Sequence, residues 1–480
     1  MDCGSVTDGL EGAGSGREAE VAAMVAGRGR RRSGRRRTGS LVRRCEACLE
    51  AQHAAGHWSL GANRKYADFG VARVVPPEVS IRRAGPLMPQ IGVTRVGEVT
   101  HLDRNGIPNF VAVRPRDMDP GISYYNGKGS TRAQARASAM MEAIERYSGE
   151  VCDLTVIRGS YRQMRRNALA VDPRQLLVPQ VRPYRADMPL EWVLGFELLS
   201  SRPVFVPRNA VVCPYRPGPG SVELFYASTN GLASGNTLAE ALSHGLCEVN
   251  ERDALSLAHA GMELRPAVGR LLAGLARATP RGRAPTATPL IEQEDLPTRA
   301  SCLVGKLRRA GLQIFLRDVT SDTGIPAIDC TLVERTGHEQ YVCHGGFGSH
   351  PDARVALTRA LTEAAQSRVG CIQGGREDLP EFADLGSRRI DPEALFGSPR
   401  RVRFAQVASR HHDDVADDVR WILQRLRRAG FKQIVAVDLT RPELQIPVVR
   451  VVVPGAEAWT VFHLHTGRGV IGRRVARRLA

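Results

Sequence analysis

Two helical segments of this 480-residue chain each carry a pair of glutamates three residues apart, Glu142 with Glu145 and Glu248 with Glu251. Residues at that spacing share a helix face, so each pair sets two carboxylates within a few ångströms of one another. Like charges so placed repel and weaken the helix unless a cation stands between them. Carboxylate oxygens are the ligands hard cations prefer, and Mg2+ characteristically joins one or two carboxylates to the phosphates of a nucleotide. Any single Glu-x-x-Glu-Arg is also the mark of a solvated ion-pair ladder. The neighbours argue against that reading here. Met140, Met141, Ala143 and Ile144 surround the first pair, and Leu246, Cys247 and Val249 the second. Both helices are therefore expected to be buried on most sides, where a carboxylate needs a partner.

The pairs belong to a design that occurs three times. A Gly-rich turn leads to a helix start and, about three turns later, to two polar residues three apart. The first copy runs from Gly127-Lys128-Gly129-Ser130-Thr131 to Glu142, Glu145 and Arg146. The second runs from Gly231 through Ser234-Gly235-Asn236-Thr237 to Glu248, Glu251 and Arg252. The third runs from Gly345-Gly346-Phe347-Gly348-Ser349-His350-Pro351 to Glu363, Gln366 and Arg368. Thr131 with Gln134 and Thr237 with Glu240 fit capping boxes, and Pro351 suits a first helical position. Backbone N–H groups of such turns can hold phosphate at a helix N-terminus, which with the acidic pairs points to a metal–nucleotide site. No G-x-x-x-x-G-K-[ST] motif is present, so the site is not of the Walker kind. Lys128, between two glycines, can approach a phosphate oxygen; a solvent-exposed turn lysine is an equal reading.

The surrounding elements read as α/β or α+β material. Short β-rich runs such as Val111–Val113, Trp192–Leu194 and Val204–Val206 alternate with helices, and an amphipathic helix over Val415–Ala429 precedes strands at Ile434–Val437 and Val448–Val453. Residues 1–60 are expected to form a mostly unstructured basic extension with one short helix. Within it Cys45, Cys48, His53 and His57 have spacings close to a zinc knuckle, but no supporting glycine or aromatic, and a helix that happens to carry them is the favoured reading. Arg265–Pro297 is expected to be a variable loop, and 461–480 a short basic tail.

Hydrophobic residues make up 42% of the chain, ample for a core, and no run reaches the roughly 18 apolar residues of a membrane span. The Arg28–Arg37 cluster resembles an export prefix, but Leu41-Val42-Arg43-Arg44 follows where an apolar segment would begin. A cytoplasmic location and reduced thiols for the ten cysteines are expected. The net charge of +17 raises a nucleic-acid role. Residues 1–44 hold ten Arg against five acids, the remainder is spread along the body, and no basic stripe with aromatics occurs, so a solvated basic surface is favoured.

At these motifs the chain resembles the YcaO family over about residues 74–460. The resemblance is carried by Tyr125–Gly129 through Glu142–Gly149, by Thr229–Thr237 through Glu248–Asp253, by Asp318–Pro326, by Arg359–Arg368 and by Gly375-Arg376-Glu377-Asp378. It implies a YcaO-like α/β (α+β) fold in which ATP and Mg2+ lie among acidic helices, and in which ATP is spent on the oxygen of a peptide amide so that a nucleophile can replace it. Carried over, Glu142, Glu145, Glu248 and Glu251 would hold Mg2+, with Glu240 close by. Ser234 and Asn236 would meet phosphates, and Arg252, Gln366 and Arg368 would complete the nucleotide pocket. Lys128 is a further ATP-binding and catalytic candidate beside Arg252, and Arg95 a weaker one.

Gly92–Asp103 and Ile446–Gly455 resemble the branch that works with a TfuA-type partner in making thioamides. The end, Val475–Ala480, lacks the Pro-rich tail of many azoline formers, which counts against heterocycle formation. The implied partners are a peptide or protein substrate and a TfuA-like sulfur-delivery protein in trans; a homodimer is compatible with the reading. An azoline-forming cyclodehydratase is the alternative chemistry. A non-catalytic scaffold that keeps the fold is the alternative of another class, and substitution within the acidic pairs would favour it, whereas all four glutamates are present.

Overall fold

The computed structural model describes residues 31–54, 56–67, 72–115, 122–150, 154–260, 288–337, 340–375, 392–461 and 470–479. Helices α1 (Arg31–Ala54) and α2 (Pro77–Ala84) precede an antiparallel sheet of β1 (Arg95–Glu98), β2 (Asn109–Val113) and β3 (Tyr124–Lys128), on which α3 (Arg132–Glu150) packs. Next come β4 (Ile157–Gly159), α4 (Tyr161–Asn167), β5 (Leu190–Glu197), β6 (Arg202–Pro207), β7 (Leu232–Ser234) and the long α5 (Leu238–His259). The chain continues with β8 (Leu290–Ile291), α6 (Thr298–Arg309), β9 (Gln313–Asp318), β10 (Ala327–Gly337), β11 (Gln340–Ser349) and α7 (Ala353–Gln373). It closes with β12 (Arg401–Val402), α8 (Val415–Arg428), β13 (Val435–Asp438), β14 (Val448–Val452) and α9 (Arg473–Leu479). A mixed sheet has the order β11-β10-β9-β8-β12, and an antiparallel sheet has the order β4-β5-β13-β14-β7 with β6 added on β5.

The threefold design is visible in the packing, in a form that corrects part of the sequence reading. Gly127 and Gly346 lie in strands, not in phosphate-holding turns. A Cβ on Gly127 would stand 2.1 Å from the amide nitrogen of Ala139, and one on Gly346 would stand 2.0 Å from that of Ala364. Both glycines thus let a strand lie directly on the helix that follows it, β3 on α3 and β11 on α7. In each copy three residues join the strand to its helix, 129–131, 235–237 and 350–352.

The helix starts differ in the same detailed way. Thr131 and Thr237 do cap, accepting from the N–H groups of Gln134 and Glu240 at 3.2 and 3.3 Å. The returning side chains, however, reach one residue further back, Gln134 to the N–H of Ser130 and Glu240 to that of Asn236. In the third copy Asp352 is the cap and Pro351 stands outside the helix.

The termini carry more structure than the sequence reading expected. Val42 and Leu49 of α1 are buried, and Trp58 stacks on Phe196 of β5 with ring centroids 4.9 Å apart. Apolar cover for these three residues explains a helix of 24 residues where a short one was expected. Of the zinc candidates, His57 bonds Asp438 at 2.8 Å and His53 lies against the Phe196 ring, while Cys45 and Cys48 remain on α1. Residues 1–30, residues 265–287 of the stretch expected to be a loop, Arg376–Asp378 and 462–469 lie outside the described residues. In the basic tail, α9 docks through buried Val475 onto Leu257 and Ala260 at the end of α5. Buried Glu457 accepts the N–H groups of Gly472, Arg474 and Val475 at its start.

Candidate functional site

Helices α3, α5 and α7, one from each copy, meet around a cleft of about 220 Å3. Its wall includes five of the residues singled out from sequence: Lys128, Glu142, Glu145, Ser234 and Asn236. It also includes three that were not assigned a role: Arg73, His244 and Arg359. Arg359 lies in the third copy, and His244 sits one turn before Glu248 on α5, so both were within reach of the pattern. Arg73 comes from a distant segment that no pattern links to the site.

Glu240 organises the entrance to α5 from behind the wall. Its carboxylate accepts the N–H groups of Val74 and Asn236 at 2.6 and 2.8 Å, the Asn236 side-chain amide at 2.9 Å, and Arg73 at 3.3 Å. It therefore fixes Asn236 and draws Arg73 to the rim.

Glu142 and Glu145 line the cleft, whereas Glu248 and Glu251 lie off its wall, with Glu248 near enough to Glu145 to act on its charge. Glu145 and Glu251 are buried, with Glu142 and Glu248 less so. Glu142 accepts from Arg146 at 2.9 Å, Glu145 from the Ser234 N–H at 2.8 Å and Glu248 from the Gly231 N–H at 3.2 Å. One oxygen of Glu251 is buried with no partner among the described residues, and Arg252 stands 3.8 Å from the other.

The charges on these groups are strained. Burial, then Glu142 and Glu248, holds the Glu145 carboxyl well above the usual carboxylate range. Burial and neighbouring Glu363 push Glu251 up to about 7, and burial also raises Glu248.

Glu363, the first acidic position of the third copy, is the residue sequence reasoning passed over. Lys128 pairs with it across 235 residues of chain, linking β3 to α7. Although burial opposes it, Lys128 and Arg252 hold its carboxyl below the ordinary range. Gln366 and Arg368 are not brought to the cleft wall: Gln366 donates to the Asn126 carbonyl, and Arg368 is buried against Asp103 at 2.9 Å and Glu334 at 2.5 Å. Arg252 lies over the Phe347 ring, and Arg95 is exposed on β1.

This donor set fits Mg2+. Several buried carboxylates repel one another, and one carries an unpartnered oxygen. Among the described residues no three His, Cys, Asp or Glu side chains gather closely enough to hold a metal by themselves. Carboxylate oxygens are the ligands Mg2+ prefers, and the ion characteristically completes its shell with waters and phosphate oxygens. Ser234, Asn236, Lys128 and Arg359 all line the cleft, which sets polar groups and two cations beside the buried carboxylates.

The chain belongs to the YcaO family: the family model described as YcaO cyclodehydratase, ATP- and Mg2+-binding, matches residues 126–457. ATP and Mg2+ are the cofactors that membership assigns to it, and the family consists of ATP-dependent, cyclodehydratase-type enzymes. It is 36% identical over 409 residues to an uncharacterized protein of Methanothermobacter thermautotrophicus, covering 83% of this chain and 98% of that one. It is 32% identical over 420 residues to an uncharacterized protein in the tfuA 3′ region of Rhizobium leguminosarum bv. trifolii, covering 83% and 93%. Among solved structures it is similar to YcaO from Methanopyrus kandleri bound with AMPPCP and Mg2+, at 26% identity and a TM-score of 0.63, covering 86% of this chain and 99% of that one. Among the described residues no helix is long and apolar enough to cross a membrane.

Proposed function

We propose that this chain uses ATP to phosphorylate the oxygen of a peptide backbone amide, and that sulfide then replaces that oxygen to give a thioamide. The observation that carries the first half is the cluster of buried glutamates from three helices beside a cation-rimmed cleft. Glu142, Glu145, Glu248 and Glu251 would hold Mg2+, with Glu363 and Lys128 completing the charge balance. Bound Mg2+ would neutralise charge on the phosphate oxygens. Ser234 and Asn236, fixed by Glu145 and Glu240, would meet the phosphates, and Lys128, Arg252 and Arg359 would stabilise the charge that develops on the transferring group. Gln366 and Arg368 would act from outside the wall by fixing β3 and α7.

An amide oxygen is a poor leaving group, and phosphorylation converts it into phosphate. The amide oxygen attacks the terminal phosphorus and ADP departs. Hydrosulfide then adds to the activated carbon, the C–O bond breaks, and the proton of hydrosulfide leaves with inorganic phosphate. The similarity to the Rhizobium protein in the tfuA 3′ region supports the thioamide branch and a TfuA-like protein as sulfur donor in trans. The family description supports azoline formation as the second reading, in which a substrate Cys, Ser or Thr is the nucleophile.

Mass spectrometry of a candidate peptide incubated with the protein, ATP, Mg2+ and sulfide, with and without the partner, separates the two. Exchange of oxygen for sulfur is expected. Loss of one water without any sulfide requirement contradicts the thioamide reading and favours the azoline one.

A further inference from the structure

A second, smaller cavity of about 70 Å3 is lined by residues of β14, α5 and the segments before β7. Arg450 of β14 lines it and is buried, yet only one of its guanidinium nitrogens is used, donating to the Ser228 carbonyl at 2.6 Å. Its Nε and Nη1 groups are buried with no partner among the described residues; the side-chain oxygen of Asn230 on the same wall is also unpartnered and, being an acceptor, calls for a donor such as an S–H. Leaving charged N–H groups buried and unpaired is costly, so the cavity is built to receive an acceptor. Apolar Val249, Val453 and Ala456 supply much of the remaining lining, and room is short for anything larger than a few atoms. Val249 adjoins Glu248, and Gly231, next to Asn230, donates to the Glu248 carboxylate, so the cavity borders the acidic cluster.

We infer that this cavity binds a small monovalent anion against Arg450 and that, in the reaction proposed above, the anion is the hydrosulfide that replaces the amide oxygen. The assignment of hydrosulfide rests on the thioamide reading; the anion site itself does not. A guanidinium with two free N–H groups suits a small anion, and apolar walls suit a polarisable, weakly hydrated one such as hydrosulfide better than phosphate. Arg450 would then concentrate the nucleophile beside carboxylates that would otherwise repel it.

Crystals of the full chain soaked in bromide test the site by anomalous scattering. A bromide peak at the Arg450 guanidinium is expected in the wild type, absent from Arg450→Met, and displaced by anaerobic sodium hydrosulfide but not by phosphate. If Arg450→Met does not fold, Asn230→Asp, which places a negative charge in the cavity while keeping the arginine, is expected to abolish the peak. No bromide in the wild type, or bromide retained in the foldable variants, overturns the site. Displacement by phosphate and not by hydrosulfide overturns the assignment of the ligand. Hydrosulfide bound at Arg450 in a protein that forms no thioamide by mass spectrometry leaves the site standing and removes the reading above it.

Discussion

Glu145 accepts a hydrogen bond at 2.8 Å from the backbone N–H of Ser234, joining the first acidic helix to the strand that leads into the second. Glu145→Gln keeps an oxygen for that bond and removes a charge that burial and two neighbouring glutamates oppose. Thermal unfolding of the metal-free variant is expected at or above the wild-type temperature. Its affinity for Mg2+-AMPPCP, measured by calorimetry, is expected to fall by roughly a hundredfold, as are those of Glu142→Gln and Glu251→Gln. Wild-type affinity in all three variants contradicts the site.

Lys128 and Glu363 form a cross-element pair with both side chains largely buried. Removing one partner strands the other, so Lys128→Met is expected to cost about 2 kcal/mol in urea unfolding. Lys128→Met combined with Glu363→Gln is expected to recover most of that loss. Equal losses in the single and double variants would show that the pair is not coupled.

Close strand–helix packing gives a test of the repeat itself. Gly346→Ala would set a methyl group 2.0 Å from the Ala364 amide nitrogen, a backbone atom that cannot step aside, so the soluble yield and melting temperature should drop sharply. Gly374→Ala, with open space around it at φ 65° at the end of α7, is expected to cost only about 1 kcal/mol.

His350 is buried beside Asp418, which also pairs with Lys65 at 2.7 Å and His412 at 2.9 Å. Burial lowers the His350 pKa to about 4. A histidine whose folded pKa lies below its unfolded value favours the folded state above pH 6.5 and withdraws that preference as pH falls towards 4. Melting temperature should therefore decline between those pH values in the wild type, and decline less steeply in His350→Gln. Parallel pH profiles would assign the acid sensitivity elsewhere.

The acidic pairs and their burial were legible because helix period and apolar neighbours act locally, as Met140, Ala143 and Ile144 show around Glu142 and Glu145. The third copy was legible as a pattern, yet Glu363 gained its place only through Lys128, a partner 235 residues away. Long-range pairings of that kind leave no spacing in the sequence. The same holds for Arg73, brought to the rim by Glu240, and for Arg368, turned instead to Asp103 and Glu334. The glycines of β3 and β11 were mistaken for turns because a strand pressed onto a helix and a phosphate loop ask for the same residue. At the termini, Val42, Leu49 and Val475 are too few to form a recognisable period, and only their docking surfaces make helices of α1 and α9.

The central claim, that the amide oxygen is the group activated by ATP, is tested most directly by following that oxygen. A substrate peptide carrying isotopically heavy oxygen in the modified backbone carbonyl is incubated with the protein, ATP, Mg2+ and sulfide, and the released phosphate is analysed by mass spectrometry. Phosphate carrying the heavy label, in proportion to thioamide formed, is the expected result. Modified peptide accompanied by unlabelled phosphate would contradict the account.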